Sequence, residues 1–484
     1  MAAVEPQVCR GQHFHLPPPS GTHRGRSRDA TGKKTKEAIQ QEIAREIERL
    51  LRVLFSDHRQ SGHWDLEAVE MALRSALHQA GAAALSELLR FSAPSVEQRK
   101  LPCRCGDIAV YRGLRSKPVL TAVGPVQIER PYFLCPQCGD GQFPADVELD
   151  VENVEISPGV RRMLAVVGHD APFHHGREQI KQLAGLEVTT KAVERTAEAI
   201  GADIAARQQE DIDRARQLHL PITIGPPISV LYIEIDGTGV PVVKAETEGR
   251  RGKIDGQPAH TREAKLGCVF TQTSVDEQGR PVRDEASITY VGAIETAEQF
   301  GRRIYWEAWQ RGWSRAQKKV LVADSAEWIW KLRQQYFPGA IEIVDLYHAR
   351  QHLWDLARQL YPGDDTRQRR WLMVKQDKLD NGKIEDLVAA LRATRVGTAE
   401  LTEKFRTEAD YFQKNAERMR YPDFRRQGLF VGSGVIEAGC KTVIGSRLKQ
   451  SGMFWTVRGA NAIIALRCNR LSGRFEDYWE ARRA

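Results

Sequence analysis

The feature that most constrains the fold is an alternation of apolar, strand-like runs and amphipathic, helix-like stretches between residues 229 and 360. Strands are predicted at Ser229–Ile235, Val240–Lys244, Leu266–Thr273, Ile288–Val291, Lys319–Val322 and Ile341–Val344. Helices are predicted at Thr296–Arg311, Ala326–Tyr336 and His348–Leu360. The order is three or four strands, then helix, strand, helix, strand and helix, which predicts an α/β domain built on one sheet.

The regions on either side of this alternation differ from it in composition. At 484 residues the chain has room for several domains of about 150 residues each. We expect a disordered basic tail over 1–36, a helical region over 37–100, a cysteine-containing strand unit over 101–147 and a helix-turn-helix-like region over 148–225. The first part of the α/β core then covers 226–361, a helical insertion covers 362–430, and the core resumes with basic helices over 431–484.

The net charge of +8 is concentrated at the two ends of the chain. Residues 418–484 contain 13 basic and 5 acidic side chains, and residues 1–36 contain 7 basic and 2 acidic ones. Such local surpluses indicate contact with a polyanion, although a solvated helical surface is the plainer alternative. No run approaches the ~18 apolar residues of a membrane span, and the first residues lack a secretory signal, so we expect no membrane partner and a cytoplasmic location.

Four of the eight cysteines fall close together. Cys103 and Cys105 form a CxC pair, and Cys135 and Cys138 form a CxxC pair within the turn-forming string CPQCGDG. Two thiolate pairs on hairpin knuckles can complete a tetrahedral zinc site, and disulfides are the poorer explanation without a secretory signal. The spacing therefore predicts a zinc ribbon holding one structural Zn²⁺, the alternative being four incidental thiols.

Three acidic residues lie where a catalytic metal site could form. Asp236 ends the apolar run LYIEI before glycines, Asp324 ends the run VLVA, and Glu437 follows the flexible turn VGSGV. Converging carboxylates suit two Mg²⁺ or Mn²⁺ ions and in-line phosphodiester chemistry. Taken singly each aspartate is also a common turn residue, and Asp345, at the end of the next strand, is an alternative to Asp324.

The strand order with these acids is that of an RNase H-like fold, and four strings strengthen the interpretation: EIDGTGVPV, VLVADSAEWIW, FPGAIEIVDLYHARQHLW and GSGVIEAGCKTVIGSRLKQSGMFW. From about residue 37 to residue 479 the chain resembles DDE transposases of bacterial insertion sequences, closest to the Kra-type family and similar to Mutator-type transposases. The resemblance implies an RNase H-like catalytic core, two divalent metal ions, and cleavage and strand transfer at terminal inverted repeats. It carries Asp236, Asp324 and Glu437 over as the catalytic, Mg²⁺-binding triad, with residues 362–421 as an inserted helical domain between the second and third acids.

Several residues are predicted to contact DNA. Lys441, Arg447, Lys449 and Arg458 lie on basic stretches next to Glu437 and would contact phosphates, and the resemblance carries His348 over as a further DNA contact. The segment from Gly176 to Arg207 reads as helix, turn and helix, with Gly185 ending the first helix and Thr189 or Thr190 capping the second.

The expected partners are double-stranded DNA, as terminal repeats and target, and further copies of the chain in a homo-oligomer on DNA. A bacterial, nucleoid-associated location fits these partners. Two other functions stay open from the sequence: a non-catalytic, domesticated DNA-binding protein with zinc and helix-turn-helix modules, and an RNase H-like nuclease. The string GxxxxGK[ST], which would indicate nucleotide binding, does not occur in the sequence.

Overall fold

The computed structural model describes residues 36–55, apart from 42, 50, 53 and 54, together with 65–217, 223–250, 252 and 259–482. The predicted disordered tail, apart from residue 36, lies outside the described residues. The chain divides into two compact units, Met1–Val160 and Arg161–Ala484. No helix among the described residues is both long enough and apolar enough to span a membrane.

The first unit combines helices with a four-stranded antiparallel sheet. Residues 36–41 and 43–49 are helical, as predicted for this region. The elements that follow are α1 (Leu66–Leu88), β1 (Lys100–Pro102), β2 (Ile108–Thr121), β3 (Gly124–Leu134), β4 (Gly141–Gln142) and α2 (Pro144–Glu148). The strands pair in the order β1-β2-β3-β4. The apolar runs Ile108–Arg112 and Val119–Val123 each predict a separate strand, but the first run and Val119–Thr121 of the second belong to the one long strand β2.

A buried ionic cluster joins β2 and β3 to α2. Asp146 is 4 % exposed and accepts hydrogen bonds from Arg130 Nε at 2.5 Å and from Lys117 Nζ at 3.1 Å. Lys117 Nζ also donates to the carbonyl of Val151 at 2.6 Å. Because a buried ion pair stripped of one partner leaves an uncompensated charge, loss of Asp146 would cost about 3–5 kcal/mol.

The second unit is a mixed α/β structure. Its first helices are α3 (Pro158–Asp170), which begins at the last residues of the first unit, α4 (Phe173–Gln179) and α5 (Thr190–Arg216). Its strands are β5 (Ile228–Pro241), β6 (Thr261–Gln272), β7 (Ser274–Val275), β8 (Pro281–Val282), β9 (Thr289–Ala293), β10 (Ala316–Ala323) and β11 (Ile341–Val344). The helices among and after them are α6 (Ala297–Gln310), α7 (Glu327–Tyr336), α8 (Leu346–Leu360), α9 (Asp365–Asp380), α10 (Ile384–Arg392), α11 (Ala399–Lys414), α12 (Tyr421–Arg426), α13 (Gly434–Gly439), α14 (Ser446–Leu448), α15 (Val457–Leu471) and α16 (Phe475–Ala481).

Five strands form the central sheet in the order β11-β10-β5-β6-β9. β6 is antiparallel to β5 and to β9, whereas β10 and β11 run parallel to β5. The predicted separate strand Val240–Lys244 is wrong, because pairing with β6 continues through Gly237 and Gly239 and makes β5 one strand as far as Pro241. The short β7–β8 hairpin lies apart from this sheet and was not predicted.

Side chains of β5 alternate between the two faces of the sheet, as the pleat requires. Leu231, Ile233 and Ile235 enter an apolar cluster with residues of α6 and α7. Tyr232 lies in a second, larger cluster, which includes residues of α8, α13 and α15. Asp236 has the same parity as Tyr232, so it lies on the face that α13 covers.

The segment that the sequence marked as an insertion is helical. It contains α9, α10, α11 and α12, whose apolar side chains belong to the larger cluster: Leu372, Leu379, Leu387, Leu391, Phe405, Phe412, Tyr421 and Phe424. α11 also approaches the first turns of α8. The inserted helices therefore share the core that supports the sheet.

The predicted helix, turn and helix before the sheet is present. After α4 the chain forms a π-helical turn over Ile180–Ala184 and reverses at Gly185, whose φ of 66° favours glycine. Thr189 caps α5 by accepting a hydrogen bond from the backbone N–H of Ala192 at 3.0 Å, as predicted. At Gly201 the backbone of α15 comes so close that a Cβ atom would lie 2.0 Å from the carbonyl oxygen of Ala462. α5 is therefore held to α15 along its buried face.

Candidate metal sites and acidic site

The four clustered cysteines are brought together in the first unit. Their sulfur atoms all lie within 4.8 Å of one another, with Cys103 and Cys138 at 3.5 Å and Cys105 and Cys135 at 3.6 Å. Four sulfurs around one zinc ion at about 2.3 Å would be separated by about 3.8 Å, so the spacing fits a tetrahedral ion. The four cysteines could hold a metal such as zinc.

Both cysteine pairs sit on turns of the kind that orient thiolates toward a metal. Cys103 N–H donates to Asp107 O at 2.8 Å and closes the first turn, and Cys135 N–H donates to Asp140 O at 2.9 Å and closes the second. Backbone hydrogen bonds, chiefly from Cys138, lower the pKa of the Cys135 thiol to about 7. The fold therefore favours the thiolate at Cys135, whereas hydrogen bonds with neighbouring thiols raise the pKa of Cys138.

Asp236 and Asp324 lie on neighbouring strands. β5 and β10 are parallel, and Ala323 pairs with Ile235, so the two aspartates follow at the same edge of the sheet. Asp324 Oδ1 accepts the backbone N–H of Ala326 at 2.9 Å. Burial raises the pKa of Asp324, and the nearby carboxylate of Asp236 adds to this rise. A divalent cation at this edge would relieve that repulsion.

Glu437 is exposed in the first turn of α13, and two buried carboxylates hold this turn. Glu234, which is 0 % exposed, accepts the N–H of Ile436 through Oε2 at 2.8 Å. Asp345, which is 1 % exposed, accepts the N–H of Ser433 through Oδ2. The β5 strand thus carries Asp236, one acid of the predicted triad. It also carries Glu234, which positions the helix of a second acid, Glu437.

Glu234 itself is a buried acid of unusual character. Burial raises its pKa to about 8, and the charges of Asp345 and Glu437 add to this rise. Its Oε1 atom has no hydrogen-bond partner among the described residues. Burial therefore favours the protonated form of this side chain, which suits a structural role.

Asp345, the alternative second acid, is engaged elsewhere. Its Oδ1 atom caps α8 by accepting the backbone N–H of His348, while Oδ2 accepts from Ser433. Both oxygens are therefore committed to backbone donors in this structure. Asp324 is less buried and has only one such donor, and this difference favours Asp324 as the ligand of a metal.

The three predicted acids do not form a compact cluster. The cysteines are the one group in the described part of the chain whose ligand atoms all lie within 4.8 Å, so Asp236, Asp324 and Glu437 are spaced more widely. Wider spacing is compatible with a pair of ions about 3.5–4 Å apart. Immediately after α13, the chain forms a π-helical turn over Cys440–Gly445. The thiol of Cys440 donates a hydrogen bond to Asp236 Oδ2 at 3.3 Å.

Three of the basic residues predicted to contact DNA are exposed, and two of them, Lys441 and Lys449, lie near this site. Lys441 lies in the π-helical turn, Arg458 lies in the first turn of α15, and Lys449 donates to the hydroxyl of Thr238, two residues after Asp236. All three are available to phosphates.

The placement of Arg447 does not fit the predicted DNA contact. It is 0 % exposed, and its Nε and Nη2 atoms both donate to the carbonyl of Gly168 at 3.1 Å. The guanidinium also lies over the rings of Phe173 and Trp455. Burial lowers the pKa of Arg447 to about 10. Arg447, which the sequence predicts as a DNA contact, therefore lies in the core.

His348 lies in the first turn of α8 and is partly buried. Its Nε2 atom is 3.3 Å from Nε2 of His352. The backbone N–H of Asp345 donates to the carbonyl of Ala323 at 2.9 Å, which brings this helix turn beside the residue before Asp324. His348 is therefore a neighbour of the acidic site, whether or not it contacts DNA.

Sequence reasoning did not identify Glu263 and Lys265 on β6. A Cβ atom on Gly237 would lie 2.7 Å from Glu263 Oε1, so this carboxylate closely approaches β5 at the residue after Asp236. Lys265 Nζ donates to Glu263 Oε2 at 2.8 Å. The sequence does show that Glu263 and Lys265 are two residues apart, just before a predicted strand. Their position beside Asp236 becomes visible only from the register of β5 with β6, in which Gly237 pairs with Lys265.

No known family model matches the chain. No curated protein matches it either. Among solved structures, the Drosophila P element transposase strand transfer complex is similar, with 12 % identity, coverage of 67 % of this chain and 80 % of that chain, and a TM-score of 0.22. A TM-score this low does not establish a shared fold.

Proposed function

We propose that this chain is a DDE-type transposase that cleaves DNA at the terminal inverted repeats of an insertion sequence and joins the ends to target DNA. The observation that carries the proposal is the pairing of β5 with β10, which sets Asp236 and Asp324 at one edge of the sheet. The strands β5, β6 and β9 are antiparallel to their neighbours in this group, and β10 and β11 follow on the other side of β5, parallel to it. This is the arrangement expected of an RNase H-like core. The contact from Glu234 to Ile436 supports Glu437 as the third acid.

The chemistry follows from the donor set. Asp236, Asp324 and Glu437 offer carboxylate oxygens, which suit Mg²⁺ or Mn²⁺, and they would hold two such ions. When bound, two such ions activate the attacking oxygen and stabilise the leaving oxygen of an in-line displacement. The protein's own contribution is to orient the carboxylates and to neutralise phosphates through Lys441, Lys449 and Arg458.

Other parts of the chain fit the same proposal. One structural Zn²⁺ would be held by Cys103, Cys105, Cys135 and Cys138. The exposed Lys191 and Arg195 on α5 suit a helix that contacts the terminal repeats. A transposase must hold two element ends together, so we propose that it acts as a homo-oligomer on DNA.

The test uses duplex DNA that carries the inverted repeats flanking the gene. Asp236→Ala, Asp324→Ala and Glu437→Ala are each expected to abolish Mg²⁺-dependent cleavage while leaving DNA binding largely intact. Glu277→Ala, which changes an exposed acid in the β7–β8 turn, is the control and should cleave normally. Cleavage is followed on gels and binding by mobility shift.

Each alternative has its own outcome. Normal cleavage by Asp324→Ala would contradict its assignment and favour Asp345. Binding of the repeats without cleavage by the wild type would indicate a non-catalytic DNA-binding protein. Cleavage of RNA–DNA hybrids that lack the repeats would indicate an RNase H-like nuclease.

A further inference from the structure

A chain of three side chains links the inserted helices to the acidic site. On α11, Glu408 is 4 % exposed, and its Oε2 atom lies 2.7 Å from His352 Nδ1. His352 Nε2 in turn lies 3.3 Å from His348 Nε2. His348 lies in the first turn of α8, beside the end of β10, and Asp324 directly follows β10. The chain therefore runs from the insertion to the neighbourhood of a proposed metal ligand.

Glu408 is held as a carboxylate. Burial opposes its ionisation, but hydrogen bonds from His352 and Lys404 outweigh burial and lower the pKa of Glu408. Lys404 Nζ lies 2.9 Å from Glu408 Oε1, on the same helix. The ring of His352 is stacked on Tyr411 with centroids 4.1 Å apart, so its orientation is fixed from a second side.

The hydrogen-bond inventory sets the positions of the protons. An ionised carboxylate only accepts, so Nδ1 of His352 must carry a hydrogen and donate it to Glu408. In neutral His352 the Nε2 atom is then an acceptor, and the hydrogen in the contact between the two imidazoles must belong to Nε2 of His348. This leaves Nδ1 of His348 as a lone-pair acceptor, and none of the described residues donates a hydrogen bond to it.

We propose that Glu408 and His352 are positioning residues that keep His348 in the Nε2-protonated form, with Nδ1 available to accept a hydrogen bond from the attacking water or 3′-hydroxyl of the DNA substrate. The inference rests on the proposed function for its substrate. It goes beyond that function by assigning two residues outside the acidic triad and by giving the inserted helices a part in orienting the nucleophile.

The first experiment is spectroscopic and needs no substrate. Full-length protein with ¹⁵N-histidine is studied by NMR at about pH 8, above the ordinary range of imidazole ionisation, and the His348 signals are assigned by their loss in His348→Gln. The wild type is expected to show a protonated Nε2 and an unprotonated Nδ1 at His348. Glu408→Ala should give a mixture of tautomers, whereas Glu408→Gln, whose amide oxygen can still accept from His352, should restore the wild-type pattern.

Matched variants separate positioning from a general loss of structure. Glu403→Ala removes an exposed acid from the same helix and should leave the His348 signals unchanged. His352→Phe keeps a ring against Tyr411 but has no ring nitrogen, and it should reproduce the effect of Glu408→Ala. If Glu408→Ala fails to fold, His352→Phe provides the same comparison.

The second experiment measures cleavage of DNA carrying the repeats. Glu408→Ala and His352→Phe are expected to lower kcat roughly tenfold to a hundredfold, as for other residues that orient a group at a reaction site, with little change in KM. An unchanged His348 tautomer in Glu408→Ala and His352→Phe, or unchanged kcat in both, would overturn the proposal. A wild type that never cleaves would instead contradict the proposed function, while the NMR result would still decide the arrangement of protons.

Discussion

At the residue scale, the second unit is distinguished by charged groups that lie in its core. Arg467 is 4 % exposed and donates through Nε to the carbonyl of Val443 at 2.7 Å. It also contacts His169, which is 7 % exposed, with Arg467 Nη1 lying 3.5 Å from His169 Nδ1. A guanidinium can satisfy several carbonyl groups at once, which is why arginine can replace apolar packing here.

His169 gives this arrangement a measurable pH dependence. Burial, reinforced by the charge of Arg467, lowers its pKa from 6.5 to about 4. The unfolded chain binds a proton at His169 more readily than the folded protein does. The contribution of neutral His169 to the free energy of unfolding should therefore be fully present above about pH 6.5 and should be lost as the pH falls toward 4. The expected loss is about 2 kcal/mol at pH 5 relative to pH 7 and about 3 kcal/mol below pH 4.

The measurement is the free energy of unfolding in urea at pH 7 and pH 5, for the wild type and for His169→Gln. The variant should lose about 2 kcal/mol less than the wild type over this interval. His175→Gln changes an exposed histidine six positions away and should keep the wild-type dependence. Equal pH dependence in the wild type and both variants would show that His169 does not titrate in this way.

At the element scale, the β2–β3 ribbon depends on its cysteine knuckles. The apolar cluster at this end contains only Ala109 and Phe133 besides Cys103 and Cys135, with Leu101 and Tyr111 partly buried against it. So small a core supplies little hydrophobic stabilisation, and small units of this kind commonly need a metal.

Zinc content tests this dependence. The purified wild type is expected to contain about one Zn²⁺ per chain, and Cys135→Ser should contain almost none. The amides of β2 and β3 should then exchange with deuterium much faster, because the metal contributes to folding. Cys9→Ser, at a cysteine outside the described residues, is the control. Undiminished zinc in Cys135→Ser would contradict the assignment of the site.

Strands and helices were predictable from the sequence where a short run of neighbouring residues determines them. Apolar runs ending at Asp236 and Asp324 predicted two strands whose ends carry acids, and the register of β5 with β10 brings them together. The extent of β5 was not predictable, because Gly237 and Gly239 resemble a turn until β6 pairs with them. The contact between Glu234 and Ile436 spans 202 positions, and no local pattern records it.

At the scale of the whole molecule, the position of the charges matters more than their sum. The net charge of +8 equals the surplus of residues 418–484 alone. Part of that surplus is buried, since Arg447 and Arg467 bind backbone carbonyls in the core. Another part is paired, since Arg474 donates two hydrogen bonds of 2.8 and 2.6 Å to the buried carboxylate of Glu307. The charge available to DNA is therefore smaller than the sequence indicates.

This distribution predicts which residues govern the salt dependence of DNA binding. Each phosphate contact that is lost should reduce the slope of log K against log salt concentration by about 0.9. Lys441→Ala, Lys449→Ala and Arg458→Ala should each do so, since these side chains are exposed. Arg406→Ala is the control, because Arg406 is already paired with Glu403 and Asp410 and should leave the slope unchanged.

For Arg447, which is buried, we expect the opposite result in the salt dependence of DNA binding. Arg447→Met should leave the salt slope of the folded protein unchanged, because the guanidinium contacts Gly168 and two aromatic rings and not solvent. It should instead lower the free energy of unfolding by about 1–3 kcal/mol, the cost of leaving a buried carbonyl without its donor. Slopes are measured by fluorescence anisotropy on repeat-containing duplexes over a range of salt concentrations. A reduced slope for Arg447→Met with unchanged slopes for the three exposed residues would mean that DNA binds elsewhere or to a rearranged C-terminal region.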